Sequence, residues 1–304
     1  MALLKFKKTA NKPKSSNDFN GLLQNFSLEV MPRTAEKIAN FSEILPTNTL
    51  IYIAHIDGTS IDEMVGTAAR LRDEGFKVMP HFPARIIKDK ATLADWIDRY
   101  TSEAGVKQAL LLAGGVDEPT GDFESSMQLL ETELFDKFGF TDLNVAGHPE
   151  GNKDIDLDDT SKNVDMALDW KQKFSERTDA SMGITTQFAF ESKPIFEWAN
   201  RIQASGINLP INVGVAGPAK LQTLIKFAIA CGVGPSLKVL QKRAMDITKL
   251  LLPYDPTDVL SELAIGKPQN PNANISNIHF FPLGGIKANA EWISNNLTKK
   301  IMSA

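Results

Sequence analysis

The chain has 304 residues, 42% hydrophobic and 23% charged, with a formal net charge of -4. This composition suits a globular protein with a large core, and without a basic excess it argues against nucleic acid as the partner. A single cysteine, Cys231, excludes an internal disulfide and a cysteine-rich metal site.

Residues 1–20 read as a flexible N-terminal segment. Met1 to Asn17 is basic, and its apolar stretch Ala2-Leu3-Leu4 is too short for a signal-peptide core. No stretch approaches the roughly 20 apolar residues of a membrane span. A cytoplasmic protein with no membrane partner is expected, with residues 21–304 forming one domain. Homo-oligomerisation is left open.

From there the chain alternates strand-like and helix-like segments. The strand-like runs are Asn25 to Val30, Thr49 to Ala54, Lys77 to His81, Gln108 to Ala113, Leu143 to Ala146, Gly183 to Phe188, Pro210 to Val215 and Asn277 to Leu283. Between them, Ile61, Met64, Val65, Ala68 and Leu71 fall on one helical face. So do Met127, Leu130, Leu134 and Phe138, and then Met166, Trp170 and Phe174. Cys231 follows Phe227-Ala228-Ile229-Ala230 and reads as a buried small hydrophobe. The stretch Pro235 to Ala264 exceeds one strand–helix unit. It predicts an extra helix over Leu237 to Leu251, a turn at Pro253 to Pro256 and a short helix before the eighth strand.

Strands alternating with helices imply a parallel sheet, and near-continuous apolar strands such as Leu50 to Ala54 imply cover on both faces. Eight units in this length predict an α/β fold, a single (β/α)8 TIM barrel. A doubly wound sheet is the runner-up, weakened by the absence of G-x-G-x-x-G after the first strand. The acidic loop Asp154 to Asp159 and the polar loop Pro268 to Ile275 read as solvated surface.

In such a barrel, chemistry gathers at the C-terminal ends of the strands. Glu29 lies near the end of the first strand, and a carboxylate there is costly to bury unless paired or used. His55 follows the second strand, His81 ends the third, Asp117 follows the fourth, His148 follows the fifth, and Gln187 ends the sixth. His279 falls near the start of the eighth. Glu29, His81 and His148 could form a metal set, but no pair has ligand spacing such as H-x3-H, so no metal is expected. The absence of G-x-S-x-G argues against a serine hydrolase.

These segments resemble the methylenetetrahydrofolate reductase family, in its short bacterial-type form. Ser27-Leu28-Glu29-Val30-Met31-Pro32-Arg33-Thr34 is similar to the family's S-F-E-F-F-P-P-R-T. Pro80-His81-Phe82 resembles P-H-L, and Ala146-Gly147-His148-Pro149-Glu150-Gly151 resembles the A-x-Y-P-E segment. Ile184-Thr185-Thr186-Gln187-Phe188 resembles I-T-Q-F-F, and His279 to Leu283 resembles H-F-Y-T-L. Two segments depart from the pattern. The flavin-binding L-R-G-D reads Ala113-Gly114-Gly115-Val116-Asp117, without the arginine, and T-Y-G reads approximately Ile53-Ala54-His55.

The resemblance implies an oxidoreductase that reduces 5,10-methylenetetrahydrofolate to 5-methyltetrahydrofolate, in one-carbon metabolism and methionine biosynthesis. NADH or NADPH would be the reductant, acting through FAD. Glu29 would be the general acid, with a pKa raised by partial burial. Gln187, Asp117 and Phe188 would bind the folate substrate. His55, His81, Gly115, Asp117, His148, Glu150 and Arg177 would line the cofactor. Arg85 or Arg177 could replace the lost arginine, so FAD is expected to bind, but weakly. The alternatives are a flavin-free tetrahydrofolate-dependent methyltransferase or demethylase, and a folate-binding protein on the same barrel.

Overall fold

The computed structural model describes residues 19–158, 160–231, 234–245 and 253–298. Eight strands form one closed, all-parallel barrel in the order β1 to β8. They are β1 (Ser27–Val30), β2 (Leu50–Ile53), β3 (Lys77–Pro83), β4 (Gln108–Leu112), β5 (Asp142–Gly147), β6 (Ser181–Ala189), β7 (Ile211–Ala216) and β8 (Ile275–Phe281). The ring closes where Ser27 pairs with His279 and Leu28 with Phe280. Each expected strand is present, and the fold is the (β/α)8 barrel.

The helices are α1 (Pro32–Ala35), α2 (Ile61–Asp73), α3 (Lys90–Ala104), α4 (Ser126–Glu131), α5 (Leu134–Lys137), α6 (Lys162–Phe174), α7 (Ser192–Ala204), α8 (Leu221–Ala230), α9 (Gly234–Met245), α10 (Thr257–Gly266) and α11 (Ile286–Thr298). Local chemistry starts and stops them. Ser60 and Glu63 form a capping box on α2, and Asp89 caps α3, which ends at Gly105 in the left-handed region. Of the expected stripe, Met64, Val65, Ala68 and Leu71 are buried as their spacing predicts, and Ile61 is half-buried at the start of α2.

Three readings change. The stripe Met127 to Phe138 spans two short helices, because Glu133 takes a left-handed φ of 58° and breaks the turn. On α6 the buried positions are Val164, Leu168, Lys171 and Phe174, while Met166 is exposed. Lys171 occupies a core-facing position and hides the true phase of the stripe. The acidic loop is also not wholly solvated: Asp156 is 2% exposed and its carboxylate accepts from the backbone N–H groups of Asn163 and Val164, at 2.8 and 3.1 Å. It caps α6 from within.

Part of the expected extra helix, Leu237 to Leu251, is α9, and its end lies outside the described residues. Tyr254, in the expected turn, bridges back to Ala219. This excursion covers a second small core of Phe188, Phe190, Leu224, Leu240 and Tyr254. The N-terminal end of the barrel holds a hollow of about 510 Å³ beside Leu22, Asn270 and Ile275.

Candidate functional site

The centre of the site is built on β1, β3 and β8. The side chain of Glu29 is 21% exposed, and its Oε2 lies 3.2 Å from Nε2 of His81 and 3.9 Å from Nε2 of His279. Both imidazoles are buried, at 8% and 0% exposure. Neither Nε2 meets the carboxylate on the line of a hydrogen bond, and both are otherwise without a partner. On its other side, Nδ1 of His279 is hydrogen-bonded to Ser27 Oγ at 2.9 Å. If Nδ1 accepts from the hydroxyl, Nε2 presents its proton to Glu29.

The charge state of this centre differs from the expectation. Burial alone would raise the Glu29 pKa, but the attraction of His81 and the contacts of both imidazoles outweigh it and hold the carboxyl down to about 2. The expected raised pKa is therefore overturned, and Glu29 is an anion at neutral pH. Burial also pushes His279 below its ordinary range, more than Glu29 pulls it up. Nε2 of His81, 3.2 Å from the carboxylate, is the ring nitrogen nearest to Glu29 and the one placed to exchange a proton there.

Beneath this centre lies a polar layer that the sequence reading missed. Asn144 Nδ2 donates to the hydroxyl of Tyr52 at 2.7 Å and to Thr185 Oγ1 at 3.1 Å, and the two hydroxyls are 3.1 Å apart. These bonds join β2 to β5 and β6, so they cross the barrel interior. The Tyr52 ring sits 4.3 Å from the His279 ring and edge-on to His81 at 6.3 Å. It is in ring contact with both imidazoles. His279 itself was expected near a strand start, but β8 begins two residues earlier and carries it toward the C-terminal end.

Gln187 is half-buried on β6, where the pairing with β7 slips between Thr185 and Phe188. Thr186 Oγ1 donates to the Gln187 carbonyl at 2.8 Å and accepts from Gly214 N at 2.8 Å. A Cβ on Gly214 would lie 2.4 Å from the Thr186 carbonyl oxygen, so this slip requires glycine. The Gln187 amide donates to the carbonyl of Cys231 at 3.2 Å. Cys231 is half-buried rather than buried, and burial together with the charge of Glu29 raises its thiol to about 11.

Several expected residues lie elsewhere. Phe188 packs edge-on to Phe190 and Phe281 in the second core, and Phe281 in turn lies edge-on to His279 at 4.8 Å. Arg177 stacks 4.6 Å over Phe174, past the end of α6 and just before β6 begins, so it lies at the opposite end of the barrel. The Glu150 carboxylate takes the N–H and hydroxyl of Ser236 at 2.8 and 2.7 Å and anchors the start of α9. Burial raises its pKa beyond what those bonds offset. Asp117 and Gly115 are exposed. His55 is buried, stacks 4.8 Å from Trp96, and is bonded through Nε2 to the Thr59 carbonyl at 2.9 Å. Burial, with the charge of Lys171, pushes His148 down to about 4. His148 does not join Glu29 and His81. Among the described residues no group of three His, Cys, Asp or Glu is placed to hold a metal.

The loops after β4 and β5 test the implied flavin. A pyrophosphate needs cations or unoccupied helix N-termini. The Arg85 guanidinium, on the loop after β3, is turned into the loop after β4, donating to the carbonyls of Val116 at 3.0 Å and Glu124 at 3.2 Å. Loop 113–125 carries Asp117, Glu118, Asp122 and Glu124 and no Lys or Arg. Loop 148–161 adds five acids against Lys153. Ser125 and Gln128 close the start of α4, and Asp156 closes that of α6. These residues do not fit the phosphates of FAD.

A curated protein, methylenetetrahydrofolate reductase 1 of Schizosaccharomyces pombe, is 29% identical to this chain over 92 residues. The resemblance to the methylenetetrahydrofolate reductases is thus seen in a second, independent comparison. The match spans 30% of this chain and 14% of that protein. Among solved structures, a protein of Clostridium thermocellum described as binding two copies of 5-methyl-5,6,7,8-tetrahydrofolic acid superposes with a TM-score of 0.57. It is 13% identical, and the superposition covers 92% of this chain and 95% of that one. That likeness is one of fold. No family profile matches the chain.

Proposed function

We propose that the chain is an enzyme of reduced folate, reducing 5,10-methylenetetrahydrofolate to 5-methyltetrahydrofolate with NADH or NADPH. The observation that carries this reading is Glu29 held between two buried imidazoles at the strand ends, in the segments that resemble the reductase family. The methylene bridge must open before it can accept hydride. The leaving nitrogen then needs a proton, and a cationic iminium forms at the other nitrogen. His81 presents Nε2 as the atom placed to deliver that proton, and the Glu29 carboxylate stabilises the developing cation. Gln187, at the slip in β6, keeps its amide oxygen available for the pterin while its NH2 is tied to Cys231.

The test is oxidation of NADH or NADPH dependent on 5,10-methylenetetrahydrofolate, with 5-methyltetrahydrofolate as product, alongside calorimetry of 5-methyltetrahydrofolate binding. Binding without turnover would reduce the reading to a folate-binding protein. Absence of binding would remove folate altogether.

A further inference from the structure

Resting on that reading, we infer that this barrel passes hydride from the dihydronicotinamide straight to the folate, with no flavin between them. The loops where the related flavin segment lies are already filled by the protein's own groups. A flavin dinucleotide would bring two phosphate charges to loops 113–125 and 148–161, whose sequence holds nine acids against one lysine, two of the acids, Glu150 and Asp156, being turned onto the starts of α9 and α6. Both helix starts on that rim are closed by the protein's own side chains, Gln128 with Ser125 on α4 and Asp156 on α6. Of the cations on the loop after β3, Arg85 is spent on two carbonyls of loop 113–125, and exposed Lys88, whose carbonyl accepts from Asp122 N–H at 2.8 Å, stands beside that loop's own acids. Lys171, behind His148, is 7% exposed on the barrel-facing side of α6 and does not reach the rim as a surface charge.

The other side of the mouth has the opposite character. The loops after β7 and β8 run Gly217-Pro218-Ala219-Lys220 and Pro282-Leu283-Gly284-Gly285-Ile286-Lys287, with both lysines exposed and no acid of their own, while the bridge from Ala219 to Tyr254 brings one exposed acid, Asp255, beside the first loop. Neither α8 nor α11 has an acid in its first turn. The two loops touch, since a Cβ on Gly284 would lie 2.0 Å from the Pro218 carbonyl oxygen. A nicotinamide dinucleotide entering here meets cations, and its ring can approach the folate above Glu29 from the β7–β8 side.

The step balances without a second carrier. The bridge carbon leaves the aniline-type nitrogen, which takes a proton from Nε2 of His81, and a cationic iminium remains. The C4–H bond of the dihydronicotinamide breaks with its electron pair, and a C–H bond forms at the methylene carbon. The iminium π pair returns to nitrogen, and the nicotinamide leaves as the pyridinium. His81 is reprotonated from water.

The test uses the purified full chain. FAD is titrated to about 50 μM while flavin fluorescence is followed, far above the dissociation constant of a resident cofactor. Turnover is then run in ordinary water, without FAD, from NADH and NADPH deuterated at both C4 positions, and the 5-methyltetrahydrofolate is weighed by mass spectrometry. We expect no saturable quenching and a methyl group carrying one deuterium. A Lys220→Glu, Lys287→Glu double variant should raise the KM for the nucleotide roughly ten-fold or more while 5-methyltetrahydrofolate affinity stays put. Saturable quenching with FAD-dependent turnover overturns the inference, as does a product methyl without deuterium. Calorimetric folate binding with no turnover in either condition overturns it together with the reductase reading, leaving a folate-binding protein. Failure of folate to bind at all is a different outcome, because it rejects the reading on which the inference rests.

Discussion

Glu29 shows how a residue can be found by sequence and its state misjudged. An acid inside an apolar strand is conspicuous, but its pKa depends on partners 52 and 250 residues away, His81 and His279, and no local pattern shows them. The anion still predicts a large effect. Glu29→Gln should lower folate turnover by about 10²- to 10⁴-fold, with 5-methyltetrahydrofolate affinity largely kept. Steady-state kinetics beside calorimetry check this, and unchanged turnover would remove Glu29 from the chemistry. Tyr52 gives no such signal, because in the sequence it is one more residue of an apolar strand. Its hydroxyl is fully buried and bonded to Asn144 and Thr185. Tyr52→Phe should cost about 1 to 3 kcal/mol in denaturant unfolding, because Asn144 loses a buried acceptor. Lys171 runs the other way. Burial lowers its pKa from 10.5 to about 8, a cost on the order of 3 kcal/mol to folding at neutral pH. Lys171→Met should therefore raise the melting temperature, and a lowered one would show that the ammonium has a stabilising partner.

At the scale of elements, the strands were legible because each is a short, nearly continuous apolar run, and burial on both faces demands that. All eight appear within about two residues of their expected limits. What was not legible is where a strand departs from regular pairing. The slip in β6 depends on Gly214 in the neighbouring strand, and neither Thr186 nor Gln187 signals it alone. Gly214→Ala tests whether that slip aims Gln187. The added Cβ would meet carbonyl oxygens of Thr186 and Gln187 at 2.4 and 2.6 Å, so the backbone must shift. We expect about 1 to 3 kcal/mol of lost stability and weaker folate binding together. Destabilisation with unchanged folate affinity would separate the slip from the site. The loop after β5 was misread for a related reason. Composition marks it as solvated, yet one of its aspartates, Asp156, turns inward to cap α6. Asp156→Ala should cost about 0.5 to 2 kcal/mol.

Over the whole molecule, the buried titratable groups give the fold a direction in pH. His55, His148 and His279 all sit below their ordinary range because burial disfavours the imidazolium. An imidazole of this kind takes up its proton later in the folded chain than in the unfolded one. Its stabilising contribution is therefore present above 6.5 and is lost as pH falls toward the folded value, about 4 for His148. Glu29 adds a second, more acid window, from 4.5 down to about 2. Glu150 opposes them, since its raised pKa favours folding on the acid side. Three histidines against one carboxylate leave a net loss between about pH 7 and pH 5. Melting curves at about pH 7.5 and about pH 5 should thus show a clear fall in Tm on the acid side. His148 is half-buried, so solvent screens part of its share, which we place on the order of 1 to 2 kcal/mol. At roughly 2 to 4 °C per kcal/mol for a large domain, His148→Gln should recover a few degrees of the acid-side fall while changing Tm little at the higher pH. If the variant falls as steeply as the parent chain, the acid sensitivity belongs to His279 and His55 at the barrel mouth, and a matching His279→Gln series would carry the recovery instead.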